Sequence, residues 1–153
     1  MNKYSVANAI ESGTWHECKG KYFEEEISFR LRILAFRRTT IEEIDESLIN
    51  EVVIEGILWL MSVEVINLCK KPIDAWKLRD TLVLIDEDEY EFEYFSNSDL
   101  DQDEDSGLHR FSGWSSNTSL SPKIKAVGAI PFVLPDEENN YYLMIKDGQI
   151  QEA

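Results

Sequence analysis

Between Ile27 and Ile33 the chain alternates without a break. Ile27, Phe29, Leu31 and Ile33 take every second place, and Ser28, Arg30 and Arg32 fill the gaps. Successive side chains of a strand leave on opposite faces, so this period puts one face in a core and the other, basic one in water. A helix would scatter the same residues around its circumference. The segment therefore predicts an antiparallel strand that needs a second apolar layer to cover it.

The rest of the chain supplies that layer in similar pieces. Ile57, Trp59, Met61, Val63 and Val65 share one parity, and Leu58, Leu60 and Ile66 the other, which predicts a central strand buried on both faces. Lys70, Lys71 and Pro72 end it, because proline cannot donate to a ladder. After a connector over Ile73–Asp80, Leu82, Val83, Leu84 and Ile85 lead into an acidic turn, Asp86–Glu89. The chain returns with Tyr90, Phe92 and Tyr94 on one face and Glu91 and Glu93 on the other, which predicts a hairpin. Residues 96–107 read as a polar loop, Leu108–Trp114 as a short strand and Ser112–Ser121 as a second loop. Ile130, Phe132 and Leu134 mark another strand within Lys123–Leu134. Tyr141, Leu143 and Ile145 mark a last one, followed by a tight-turn signal at Asp147-Gly148.

Helical signals are few. Val6, Ala9 and Ile10 share a face ahead of Gly13, which predicts a short helix in an N-terminal arm over residues 1–13. Thr40 and Glu43 fit a capping box ahead of Ile41, Ile44, Leu48 and Ile49, predicting a helix of about ten residues. Gly20 is read as a turn, with Trp15, Tyr22 and Phe23 as anchors around it. Many strands, few helices and no alternation of strand with helix give an all-β antiparallel sandwich with one or two short helices. At 153 residues the natural expectation is one domain spanning 1–153.

The net charge of −15 is local in origin. Asp86, Glu87, Asp88, Glu89, Glu91, Glu93, Asp99, Asp101, Asp103, Glu104 and Asp105 lie in one window that holds no Lys or Arg. Such a field repels nucleic acid and anionic lipid and favours cations or a basic partner. No apolar run approaches the ~20 residues of a membrane helix. The first residues lack the apolar core of a signal peptide, which predicts a cytoplasmic protein. Cys18 and Cys69 are expected to be buried free thiols, a disulfide arising only if the chain is exported.

From Trp59 onward the order of motifs resembles a known family. A strand ending in Val63-Glu64-Val65-Ile66-Asn67 precedes a Lys-Pro connector, a Leu-Ile-Asp strand, an acidic turn and Tyr-x-Phe. Gly128-Ala129-Ile130-Pro131-Phe132-Val133-Leu134-Pro135 then precedes a Tyr-Tyr-Leu strand. Over roughly 57–146 this is similar to the immunoglobulin-like β-sandwich domains of unknown function in bacterial lipoproteins and secreted antigens. Glu89 stands where that pattern has Gly, there is no lipidation cysteine near the start, and the helix after Thr40 is extra. The resemblance implies an immunoglobulin-like fold and carries over no catalytic residue.

The chemistry points to binding. Asp99, Asp101, Asp103 and Asp105 alternate as hard oxygen ligands for Ca²⁺ would, but Ser106 and Ser112 stand where a calcium-binding hand needs Gly and Glu. His16, Cys18 and Cys69 lack the fourth ligand and the paired spacing of a zinc site. His109 has no nucleophile and orienting group beside it in sequence, and no catalytic or phosphate-binding motif occurs. No catalytic residue, resident metal or cofactor is therefore expected. Trp59 is read as core. Trp114, ahead of a polar loop, is a candidate anchor for a partner. The expectation is a non-catalytic interaction module. It would engage a basic protein, as an immunity or inhibitor protein does, through Asp86, Asp88, Glu91, Glu93, Asp99, Asp101, Asp103, Asp105 and Trp114. The alternative is a structural module that binds a divalent cation.

Overall fold

The computed structural model describes residues 2–44, 55–95 and 118–153. The alternating segment becomes the long strand β3, and its neighbours follow the predicted periods. In chain order the elements are β1 (Lys3–Ser5), α1 (Val6–Ser12), β2 (Trp15–Tyr22), β3 (Glu25–Thr39), α2 (Ile41–Ile44), β4 (Ile57–Asn67), β5 (Ile73–Asp74) and α3 (Ala75–Asp80). They continue with β6 (Leu82–Ile85), β7 (Glu91–Glu93), β8 (Ser119–Leu120), β9 (Lys125–Leu134), β10 (Tyr142–Ile145) and β11 (Gln149–Glu152). One sheet has the order β1-β10-β6-β7 and the other β11-β2-β3-β4-β9, all antiparallel; β5 and β8 form a small separate pair. The fold is the expected all-β sandwich with short helices.

The inner faces meet in one core. Phe29 and Leu31 of β3, Val63 and Val65 of β4, Phe132 of β9 and Leu84 and Leu143 of the facing sheet are fully buried within it. β4 lies between β3 and β9, and Leu58 and Leu60 bury its outer parity as well, as a central strand requires. Asn67 ends β4 by tying loops together. Its amide N–H₂ donates to the carbonyls of Lys71 (3.0 Å) and Leu120 (2.9 Å), and its side-chain oxygen accepts the Cys69 N–H (2.8 Å). Pro131 lies in β9, an edge strand, where a missing N–H is tolerated. Its carbonyl accepts the Phe95 N–H at 2.7 Å, which links the two sheets along that side.

Several expectations need correction. Gly20 is not a turn: it sits inside β2 opposite Ile27, and the chain turns at Phe23 and Glu24. Its missing side chain serves packing, since a Cβ there would lie 2.8 Å from Ile145 Cγ2. At Gly148 a Cβ would fall 1.9 Å from the Lys19 carbonyl oxygen, so the backbones touch where the chain passes from one sheet to the other. Tyr141–Ile145 is not the last strand, because that crossing delivers β11 to the edge of β2. The N-terminal arm is bound in: β1 pairs with β10, and Val6 and Ala9 of α1 are buried in the core.

The capping box at Thr40 forms by half. The Thr40 hydroxyl accepts the Glu43 N–H (3.1 Å), but the Glu43 carboxylate takes the Thr39 hydroxyl (2.9 Å). The helix there is Ile41–Ile44, and the rest of the expected helix lies outside the described residues. Cys18 is buried and Cys69 only half-buried, both as free thiols. Burial pushes the Cys18 thiol far above its ordinary range, and Glu17 adds to the shift.

One irregularity shapes an end of the sandwich. The ladder between β3 and β4 slips between Ile33 and Ala35, so that Leu34 is an extra residue. Such a bulge moves the inner face from the odd-numbered to the even-numbered residues of the strand. Phe36 comes opposite Met61 and Arg38 opposite Trp59, both on the inner parity at the end of the sandwich.

Candidate functional site at the acidic end of the sandwich

Two turns meet at that end. The first follows β6. Asp86 is 2% exposed, and one of its carboxylate oxygens accepts the N–H groups of Asp88 (2.9 Å) and Tyr90 (3.0 Å). A short aspartate facing free backbone donors shapes such a turn better than any longer acid. Glu89 completes it with φ of 67°, the left-handed conformation that glycine adopts most easily.

The second turn, residues 135–140, precedes β10 and brings Asp136, Glu137 and Glu138 to the surface, all exposed. The pairing of Tyr142 with Ile85 sets the two turns side by side. The Asn140 side-chain N–H donates to the Glu87 carboxylate (2.6 Å), which joins them directly. Exposed Glu87, Asp88, Glu89 and Glu91 thus share one surface with Asp136, Glu137 and Glu138.

Between the turns and the inner faces lies a cleft of about 1000 Å³. Its floor is aromatic. Phe36 and Trp59 stack with centroids 4.8 Å apart, and Tyr141 stands edge-on to Phe36 at 6.2 Å. Tyr141 is 8% exposed, and its hydroxyl has no hydrogen-bond partner among the described residues. Burial raises its pKa, and the carboxylates of Glu137 and Asp86 raise it further. Among the described residues Arg38 is the one cation lining the cleft, against Glu87, Asp136, Glu137 and Glu138.

The expected partner-binding residues divide. Asp88 and Glu91 are exposed on this end. Asp86 is buried, and one of its carboxylate oxygens is taken up by the turn it closes. Glu93 is exposed but bonded to Lys146 at 2.7 Å. Asp99, Asp101, Asp103, Asp105 and Trp114 lie outside the described residues, as does His109. Tyr90, expected on one strand face with Phe92 and Tyr94, is 68% exposed; it precedes β7 and belongs to the turn. Trp59 is half-buried and lies at the mouth of the core.

Sequence reasoning missed Asp136–Glu138 and the aromatic floor. The acids carried a signal in their density, but only the β6–β10 pairing brings them to the first turn. Phe36 carried no signal, since its facing depends on the bulge.

Elsewhere, His16 is buried on β2 with its ring 4.1 Å from that of Tyr4. Burial lowers its pKa and Glu152 opposes the shift, and its Nδ1 finds no partner among the described residues. A second cleft, of about 730 Å³, lies beside the β10–β11 crossing between Lys19, Lys21, Lys70 and Lys71. Glu25 sits among them with Lys71 at 3.8 Å and Lys77 at 3.0 Å, so its charges are partly neutralised. Among the described residues no three His, Cys, Asp or Glu side chains are arranged to hold a metal ion. No described helix is long and apolar enough to cross a membrane.

Fold and site together define a β-sandwich with one acidic, aromatic-floored end. The chain matches no protein-family model and no curated protein. It is similar in structure to MPT63, a secreted protein of Mycobacterium tuberculosis, with a TM-score of 0.56 and 11% identity. The likeness covers 90% of this chain and 92% of the other, and at that identity it concerns the fold. The finding stands against the cytoplasmic expectation, which rested only on the lack of a visible apolar leader: this neighbour in structure is a secreted protein.

Proposed function

We propose that residues 1–153 form a single non-catalytic binding domain of the immunoglobulin-like kind found in bacterial secreted antigens and lipoproteins. It acts outside the cytoplasm and takes a basic protein partner at the acidic end of the sandwich. The observation that supports this reading is the junction of two acidic turns around one cleft, with Tyr90 exposed beside them. Exposed carboxylates of one sign steer a basic partner and set its orientation, and an exposed tyrosine supplies apolar contact. The buried role of Asp86 moves the contact surface to Glu87, Asp88, Glu91 and Asp136–Glu138.

The test is salt-resolved capture on the immobilised chain. Basic proteins of the source cell are retained at ~50 mM salt and released by ~300 mM, because the Debye length falls below the spacing of exposed charges. A chain carrying Glu87→Gln, Asp88→Asn, Asp136→Asn, Glu137→Gln and Glu138→Gln retains none of them. Retention that ignores both salt and these substitutions would falsify the reading.

A further inference from the structure

We infer that the free edge of β9 pairs with the same edge of a second copy of this chain, Val127 against Val127, and joins two sheets into one. The pairing is independent of the acidic end. β9 is the last strand of its sheet, and no described strand lies beyond it. Its ladder with β4 runs without a slip from Lys125 to Leu134, so its backbone groups point alternately toward β4 and away from it. Pro131 fixes which residues point away. It has no N–H, and its carbonyl turns outward to the Phe95 N–H at 2.7 Å. Lys125, Val127 and Ala129 share that parity, so they present their N–H and C=O groups at the free edge, where no described residue bonds to them. The other sheet edges offer less. β1 and β7 are three residues each, and on β11 the outward Glu152 N–H is taken by the Tyr4 hydroxyl at 2.9 Å.

An unpaired edge is a template for another strand. Three features select a second copy as that strand. First, the edge is bounded. Phe95 closes it at Pro131, and the chain turns at Lys123 with φ of 66°, so the open part is Lys125–Ala129. The same residues of a second copy, laid antiparallel, fill it from end to end, with Val127 facing Val127 and Lys125 facing Ala129. Second, the side chains are self-complementary in that register. Val127 is 58% exposed and Ile124, at the margin, 63%. A two-fold axis covers each valine with the other, and each lysine, held by Glu64 of its own chain at 3.0 Å, meets an alanine. Third, β9 leads at its far end into the acidic turn at 135–140. Antiparallel pairing about Val127 sends the two acidic ends in opposite directions, whereas parallel pairing would set them side by side.

The test is sedimentation equilibrium of the whole chain up to ~300 µM, since an edge contact of this size makes a weak dimer. A concentration-dependent dimer is expected. It strengthens between ~50 and ~300 mM salt, because screening relieves the repulsion of two chains of net charge −15. Capture of a basic protein has the opposite salt response. Amide exchange read by NMR is expected to slow at Lys125, Val127 and Ala129 in the concentrated chain relative to the dilute one.

Val127→Pro removes an outward N–H and no bond to β4, so it is expected to fold, as the strand already does with Pro131, and to stay monomeric. Val127→Lys sets two ammonium groups face to face and is expected to weaken the dimer at least about tenfold. A chain that stays monomeric at both salt concentrations overturns the pairing. So does a dimer that survives Val127→Lys, or one that leaves the three amides exchanging as before. Each of these results leaves the acidic-end reading in place.

Discussion

At the scale of single residues, the acidic turn shows how one sequence stretch divides its labour. Asp86 and Asp88 are chemically identical and two places apart. One is buried as an acceptor for backbone N–H groups, and the other stays in water. Glu89 sits in the left-handed region, which an L-residue with a Cβ tolerates at a cost of about 1–2 kcal/mol. Glu89→Gly removes that cost, partly offset by the freedom glycine gains in the unfolded chain. The expected outcome is a stabilisation of about 0.5–1 kcal/mol, read as a higher urea midpoint with an unchanged slope. The acids of this turn were plain in the sequence, but their separate roles were not. Which of several neighbouring carboxylates is buried depends on backbone donors that only the folded turn brings into line.

Among the elements, alternation was the dependable signal. Ile27–Ile33 and Ile57–Ile66 announced β3 and β4 because their neighbours bury them on the faces their sequence period assigns. The errors fall where tertiary contact overrides a local cue. Gly20 suggests a turn, yet it serves a close approach between sheets. Phe36 follows the alternation only after one residue is skipped. A cross-strand cluster offers a test among strands. Glu64 of β4 bonds to Arg32 of β3 and, at 3.0 Å, to Lys125 of β9, while Arg32 also stands over the Trp15 ring of β2. Hydrogen bonds from Arg32 and Lys125 hold the Glu64 carboxyl below its usual range. A depressed carboxylate contributes stability above its unfolded pKa and loses it as pH falls through the folded value. Glu64→Gln is therefore expected to be less stable than the parent at pH 7. The gap should close on acidification through pH ~4 and below, as followed by urea midpoints. A gap independent of pH would show that Glu64 acts through packing alone.

For the molecule as a whole, the two sheets enclose one continuous core, and the two cysteines sample its inside and its border. Cys18 is fully buried with a thiol that burial keeps protonated, whereas Cys69 is half-buried with Sγ near the Ser28 carbonyl at 3.6 Å. Only thiolates react, so burial and the raised pKa that it causes both protect Cys18. In native buffer, iodoacetamide is expected to label Cys69 well before Cys18. Cys18 should follow only at the rate of global opening and accelerate with denaturant. Mass spectrometry of the labelled peptides reads both. Equal labelling of the two thiols would mean that the core opens locally around β2. At this scale the sandwich class was legible from strand periods and scarce helices. The sheet exchange between β10 and β11 was not, because a turn signature such as Asp147-Gly148 is the same whether the next strand returns beside its predecessor or crosses to the opposite layer.

The bulge at Leu34 has a meaning for descent as well as for packing. β3 is written in two frames, one on each side of a single supernumerary residue. The flanking pairs, Ile33 with Val63 and Ala35 with Ser62, are already consecutive across the ladder. Deleting Leu34 would therefore leave those pairs in register, with Ala35 facing out and Phe36 still facing in. Deleting Arg30 instead would set Phe29 and Leu31 side by side and send them to opposite faces. A lineage can thus lose one codon at the bulge and keep both sandwich and cleft, while the same loss a turn of the pleat earlier breaks the core. Length variation within β3 is expected to collect at this one place.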